Sequence, residues 1–323
     1  VEAIKQEIDN CYRYPEGRSP RLRHKLAEKY GLEDEQVLLA NGGDDIIDLI
    51  CKAFVDEGDE IIAAKPSFET YTISSTIMGG KMIFVPVKRD LSIDLEGFAA
   101  AITAKTKLIF FCNPNNPVGS IVGKAAIAAF MSKIPDHCLV IFDEAYAEFI
   151  EDDDYANGID YVKADKNVIV LRTFSKIYGL AGLRVGFAVA SLPIMDVIGR
   201  VVPAFPVNRL AQAAAAAALD DNDFIDRVKE NNEEGKAYFY QQFSDIGMEY
   251  ALVYGNFIFV DTRMPSYEVN EKLLRRGIIV RPGHLWGADY ATYLRVSIGT
   301  MEENRRLIAA LREIAGEYKG AAE

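Results

Sequence analysis

Apolar residues recur along this chain in two alternating rhythms, short unbroken runs and stretches spaced three and four apart, and each rhythm specifies an element. Residues 37–40, 60–64, 81–86, 108–112, 139–142, 168–171 and 185–190 are runs of the kind found in strands covered on both faces. Between them lie helical patterns. A helix over 20–30 carries Leu22 and Leu26 on one face, and one beginning near Asp44 carries Ile46, Ile47, Leu49, Ile50, Ala53 and Phe54. Others begin at Pro66-Ser67-Phe68-Glu69-Thr70-Tyr71, include 98–102, and run over 123–133. The first residues are also helical in pattern, up to the turn Arg13-Tyr14-Pro15-Glu16-Gly17. Strand and helix alternate to residue 215, which predicts an α/β unit with a mostly parallel sheet flanked by helices.

The texture changes beyond Pro203 and Pro206. An alanine-rich helix at 210–219 and a long charged helix at 223–243 precede strands at 257–261, 278–280 and 293–297. Helices at 266–276 and 302–318 complete what reads as a smaller α+β unit, with no internal repeat.

Composition narrows the functional classes. The 323 residues, half of them apolar, suffice for two domains with sizeable cores. A formal charge of −12 argues against a general nucleic-acid or acidic-membrane surface, so a pocket for an anion must be locally basic. No apolar stretch approaches the roughly 18 residues of a membrane span. Cys11, Cys51, Cys112 and Cys138 form no Cys-x-x-Cys pair and are expected to be free thiols in a reducing cytoplasm. His24, His137 and His284 lack ligand spacing, which sets aside a zinc site and a Ser-His-Asp hydrolase. The chain starts at Val1 rather than methionine, so an upstream segment, a targeting peptide included, stays open.

The candidate chemistry lies where apolar runs end. Asn41-Gly42-Gly43-Asp44 precedes a helix and leaves backbone N–H groups free for an anion, a cup common in α/β proteins. Arg172-Thr173-Phe174-Ser175-Lys176 follows another run, with Arg184 eight residues beyond the lysine. An isolated Ser-Lys is ordinarily a surface turn. Here the amine suits a Schiff base with a carbonyl compound, with hydroxyls and a guanidinium to hold an anion nearby. Asn116, Asp143 and Lys176 each follow a separate run, at the carboxyl ends of strands, where open α/β sheets bind ligands.

Three stretches carry a resemblance: Asn113-Pro114-Asn115-Asn116-Pro117, Asp143-Glu144-Ala145-Tyr146, and Ser175-Lys176 with Leu180-Ala181-Gly182-Leu183-Arg184-Val185-Gly186. Together, and in this order, they resemble the pyridoxal-phosphate aminotransferases of fold type I, most specifically the histidinol-phosphate aminotransferase family, over the chain from Tyr12 onward. The resemblance implies a large cofactor-binding domain at 31–215 and a small C-terminal domain at 216–323. Residues 1–30 would form an N-terminal arm and part of the small domain.

The same resemblance implies the roles. Lys176 would hold pyridoxal 5'-phosphate as a Schiff base and then shuttle a proton at the substrate Cα. Asp143 would keep the pyridine nitrogen protonated, Asn116 and Tyr146 would hydrogen-bond the phenolic oxygen, and Phe68 would stack on the ring. The N–H groups of Gly43 and Asp44, with Thr173, Ser175 and Arg184, would hold the phosphate, Arg184 bidentately. Tyr14 would reach the partner subunit's cofactor in a homodimer. Arg295 and Arg281 would bind the acidic and phosphate groups of substrates, and Asn208 matches a position near the site.

Three departures stand out. A segment that covers the substrate in the family has no counterpart before Val1, Val118 replaces the usual Thr or Ser, and Gly43-Asp44-Asp45 replaces Ser/Ala-Asp-Glu. The implied reaction exchanges an amino group between glutamate or 2-oxoglutarate and histidinol phosphate or its keto counterpart. An aromatic amino acid aminotransferase and a phosphoamino-acid decarboxylase remain alternatives on the same cofactor site.

Overall fold

The apolar runs of the first 190 residues become the strands of one sheet, in a computed structural model that describes residues 1–322. Helices α1 (Glu2–Ile8) and α2 (Pro20–Tyr30) precede β1 (Val37–Ala40), which turns at Gly42 into α3 (Gly43–Phe54). Next come β2 (Glu60–Lys65), α4 (Glu69–Ile77), β3 (Lys81–Pro86), α5 (Leu95–Ala100) and β4 (Thr106–Cys112). Then α6 (Lys124–Met131), β5 (Leu139–Asp143), α7 (Gly158–Lys163), β6 (Val168–Thr173), β7 (Gly186–Ala190) and α8 (Leu192–Gly199) follow.

The strand order is β1-β7-β6-β5-β4-β2-β3. Pairing from β6 through β3 is parallel, whereas β7 runs antiparallel to both β6 and β1. Successive strand residues face opposite ways, so each strand feeds two cores. Phe111 and Phe142 pack with Leu22, Phe98, Phe130 and Ile159 on one face. Phe110, Ile141 and Leu171 pack with Ile46, Ile50, Tyr71 and Ile198 on the other. Each such side chain contributes about 1.5–3 kcal/mol by leaving water.

The remaining chain forms α9 (Arg209–Ala218), α10 (Asn222–Ile246), β8 (Glu249–Tyr250), β9 (Phe257–Asp261), α11 (Ser266–Arg275), β10 (Arg281–Pro282), β11 (Tyr293–Ser297) and α12 (Met301–Ala322). Its four strands pair in the order β10-β11-β9-β8 around a separate core that includes Phe239, Phe243, Val260 and Leu311. Among the described residues no helix is long and apolar enough to cross a membrane.

Three expectations need correction. Residues 20–30 do not join the smaller unit: Leu22, Leu26 and Ala27 are buried in the larger core, because α2 lays its apolar face against α9 and β1. That larger core also continues past residue 215, with Ala215 and Leu219 buried in it and Ile225 and Val228 packed against it. The strand expected at 278–280 lies instead at Arg281–Pro282; Ile278 and Val280 pack against the smaller core from the turn that precedes it.

Candidate active site

The carboxyl ends of β5 and β6 open into a cavity of 180 Å³. It is lined by Lys176, Asp143, Tyr146, Asn116, Phe68, Gly43, Asp44, Thr173, Ser175 and Arg184, so ten positions singled out from the sequence meet in one space. Cys112, Leu171 and Ala181 complete parts of the wall.

Strand alternation aims the acid. Asp143 ends β5 on the face shared by Ile141, and its carboxylate is almost wholly buried. The Tyr71 hydroxyl donates to its Oδ2, and the Ala145 N–H donates to Oδ1 at 3.1 Å. Burial lifts the Asp143 pKa above the ordinary carboxylate value, while Tyr71, Ala145 and the Lys176 charge oppose the rise. Lys176 shows the reverse shift. Burial lowers its pKa, the neighbouring Arg295 and Arg184 charges lower it further, and Asp143 and Asp44 pull the other way. Its Nζ lies 5.2 Å from the centroid of the Tyr146 ring, which packs edge-on against Phe257. Burial also raises the Tyr146 pKa, so this hydroxyl stays a neutral donor.

The anion cup lines the same cavity. Gly42 is the N-cap of the 12-residue α3 at φ 90°, with no side chain capping the helix, so first-turn N–H groups point into the cup unclaimed. Arg184, itself at φ 57°, spans the cup, donating to Ser175 Oγ at 3.4 Å and to Asp44 Oδ2 at 3.1 Å. The Ser175 N–H donates to Thr173 Oγ1 at 3.1 Å. A dianion meets helix N–H groups, two hydroxyls and a guanidinium here, a donor set suited to a phosphate ester. The lysine with a depressed pKa would take an aldehyde carbon, the buried carboxylate a ring N–H, and Phe68 a ring face. The residues present therefore fit pyridoxal 5'-phosphate.

Arg295 and Arg281, the arginines expected to bind substrate, come from the smaller unit, on β11 and β10. Arg295 Nη1 donates to Asn116 Oδ1, and its guanidinium lies 5.4 Å from the centroid of the Phe257 ring. Arg281 pairs with Glu69. Neither arginine lines the 180 Å³ cavity itself. Tyr14 is exposed and stacked on Phe205 at 4.8 Å, outside this chain's own cavity. Asn208 caps α9 by accepting the Ala211 N–H at 2.9 Å, and it does not line the cavity. Val118 is buried against Phe259, Trp286 and Tyr290, an apolar setting in which a threonine hydroxyl would need a partner.

Two features escaped the reading of the sequence. Tyr71, one turn after Phe68 on α4, stacks on Phe110 at 4.3 Å beneath Asp143; the three-residue spacing from Phe68 is the signal that points to it. Behind the sheet, Glu144 accepts two bonds from Arg172, at 3.0 and 2.7 Å, and takes the Gly158 N–H as well. Arg172 Nη2 also donates to Asn157 Oδ1 at 3.0 Å.

Known proteins are similar to this chain in sequence and fold. The family model for aminotransferase class I and II matches residues 1–311. The histidinol-phosphate aminotransferase of Moorella thermoacetica is 46% identical over 315 residues, 97% of this chain and 81% of that protein. That of Caldicellulosiruptor saccharolyticus is 43% identical, over 97% of this chain and 87% of its own. The crystal structure of histidinol-phosphate aminotransferase from Sinorhizobium meliloti in complex with pyridoxal-5'-phosphate superposes with a TM-score of 0.92 at 28% identity, covering 98% of this chain and 86% of that one. The chain belongs to the class I and II aminotransferases and, within them, to the histidinol-phosphate aminotransferase family.

Proposed function

We propose that this pyridoxal-phosphate-dependent aminotransferase of histidine biosynthesis interconverts L-histidinol phosphate and its keto counterpart with 2-oxoglutarate and L-glutamate as the paired substrate. The observation that carries the reading is the single cavity in which Lys176, Asp143 and the Arg184 cup meet, in a chain 46% identical to a histidinol-phosphate aminotransferase. Pyridoxal 5'-phosphate, when bound, supplies an aldehyde that captures amines and a ring that accepts the electron pair of a broken Cα–H bond.

The chain's own residues do the rest. Lys176, its pKa lowered by burial and by Arg295, is the amine placed to take the substrate Cα proton and return it to the carbon on the far side of the amino nitrogen. Asp143, its carboxylate held by Tyr71 and the Ala145 N–H, would hold a proton on the ring nitrogen. Asn116 and Tyr146 would donate to the phenolic oxygen, and Phe68 would cover a ring face. Gly43, Asp44, Thr173, Ser175 and Arg184 anchor the phosphate. Arg295 and Arg281 bind the substrate's anionic ends.

The larger unit thus carries the cofactor and the smaller one the substrate arginines. The active form is a homodimer in which Tyr14 enters the partner's site, a reading supported by the exposed Tyr12, Tyr14 and Phe205 beside an open groove of 570 Å³. A cytoplasmic setting accords with four free cysteines, three of them buried.

The test is a half-reaction. Purified enzyme loaded with cofactor and incubated with L-histidinol phosphate alone should convert its cofactor to the amine form by mass spectrometry. No conversion, or faster conversion with L-phenylalanine, would overturn the substrate assignment. Decarboxylation of a phosphoamino acid with no keto-acid requirement would overturn the reaction class.

A further inference from the structure

The β10–β11 register sets Arg281 directly opposite Arg295. Opposed residues of an antiparallel pair project to the same face, and like charges so placed repel unless an anion stands with them. One does. Glu69, in the first turn of α4 beside the cavity-lining Phe68, reaches across from the larger unit to pair with Arg281. Both side chains are near half exposure, at 44% and 45%, so the pair is weak and separable.

Arg295 is in the complementary state. Among the described residues it has no carboxylate partner, and its Nε is buried without a hydrogen bond. One guanidinium is therefore neutralised by the protein, and its neighbour keeps a donor unclaimed.

This arrangement suits a site that must take two unlike substrates in turn, as the proposed reaction requires; the inference rests on that reading. We propose that Glu69 is a built-in surrogate for the substrate's phosphate: it neutralises Arg281 while a substrate without a phosphate is bound and releases that arginine to one that carries it. A phosphate group brings a charge near −1.5 to −2 and several acceptor oxygens, and so displaces a single carboxylate from Arg281. Glutamate, whose carboxylates each carry a single charge, leaves the Glu69–Arg281 pair intact. An aromatic side chain does the same, and no bare cation remains beside it.

The experiment compares the cofactor-loaded wild type with Glu69→Gln and Arg281→Gln. KM is measured for histidinol phosphate, glutamate and phenylalanine, and affinity for inorganic phosphate by calorimetry. Glu69→Gln should lower the KM for histidinol phosphate and tighten inorganic phosphate by about three- to five-fold, the size of a half-exposed ion pair. It should not lower the KM for glutamate or phenylalanine. An unchanged or raised KM for histidinol phosphate in Glu69→Gln overturns the inference, since Glu69 would then only brace Arg281. Arg281→Gln tests the role of Arg281 separately. It should raise the histidinol phosphate KM by about ten-fold or more, the loss of a charge-assisted contact. If it does not, Arg281 has no part in phosphate binding and this inference falls, while the half-reaction with histidinol phosphate still decides the proposed function by itself.

Discussion

Replacing Tyr71 by phenylalanine removes one oxygen from a fully buried position and keeps the ring stacked on Phe110. What it takes away is the hydroxyl that donates to Asp143 Oδ2. A hydrogen bond to a charged acceptor is worth about 1.5–3 kcal/mol, and at about 1.4 kcal/mol per unit the Asp143 pKa should climb by roughly one to two units. The sign follows from linkage. Burial already raises this carboxyl in the native state, so the folded protein holds the proton more tightly than the unfolded chain does. Its contribution to stability is therefore greatest in acid, below the unfolded pKa, and declines as pH rises through the folded one. Tyr71→Phe extends that decline upward. Urea unfolding of cofactor-free wild type and variant across pH should show a gap that is smallest in acid and widens to a plateau above the variant's folded pKa. With cofactor, the acid limb of the kcat/KM profile should move to higher pH by the same one to two units, about the shift just derived. A stability gap constant across the whole pH range, with an unmoved acid limb, would refute the coupling and reduce Tyr71 to a packing residue.

Other changes act on the cup and on the back of the sheet. A Cβ at Gly186 would stand 2.7 Å from the Gly42 carbonyl carbon and 2.9 Å from the Gly43 nitrogen, so Gly186→Ala must push the cup's backbone aside. It should destabilise the protein by about 1–3 kcal/mol and weaken cofactor retention, read by thermal unfolding and by dialysis followed by absorbance. Arg184→Lys keeps the charge and loses the two-pronged grip; cofactor affinity measured by spectral titration should fall by about ten-fold. Glu144→Gln leaves buried Arg172 with only the longer carboxylate contact, to Glu148 at 3.5 Å, and should cost up to about 3–5 kcal/mol in urea unfolding. A loss below about 1 kcal/mol would place that pair among interactions as weak as surface ones.

The positions of the chemistry were legible because strand ends are legible: Asn116, Asp143 and Lys176 each follow an apolar run, and all three line the cavity. The faces were not read, although the alternation was there to be used. Along β5 and into its turn, Ile141 and Asp143 look to the cofactor side while Phe142 and Glu144 look to the back; along β6, Leu171 and Thr173 look forward while Arg172 looks back. Followed one step further, that alternation sets Glu144 and Arg172 together behind adjacent parallel strands. The direction of β7 was also within reach. A parallel return needs a crossover of roughly a dozen residues or more, usually a helix. The segment from Thr173 to Gly186 is spent instead on Lys176, a single turn at 181–183 and Arg184. Spacing from Phe68 marks the side of α4 on which Tyr71 lies but not what it meets: the partners of Tyr71 and Glu69, Asp143 and Arg281, are 72 and 212 residues away, and no local pattern encodes such a meeting.

The back network also explains how the site keeps its geometry. Asp143 and Lys176 sit on separate strand ends, and a relative slip of one residue would turn either side chain out of the cavity. The β5–β6 register pairs Asp143 with Leu171, and the Glu144–Arg172 pair lies one step beyond it. Arg172 is held further by Asn157, the N-cap of α7, and Glu144 by the Gly158 N–H of the same helix. Three elements thus meet at one buried ion pair directly behind the acid. Burial makes such a pair costly to break and poor in net stabilisation, so its worth lies in fixing register rather than in strengthening the fold. Glu144→Gln should accordingly lower kcat more than it raises the cofactor's dissociation constant, because Gly43, Asp44 and Arg184 of the cup are anchored on α3 and beyond β6, and only Thr173 and Ser175 adjoin this network.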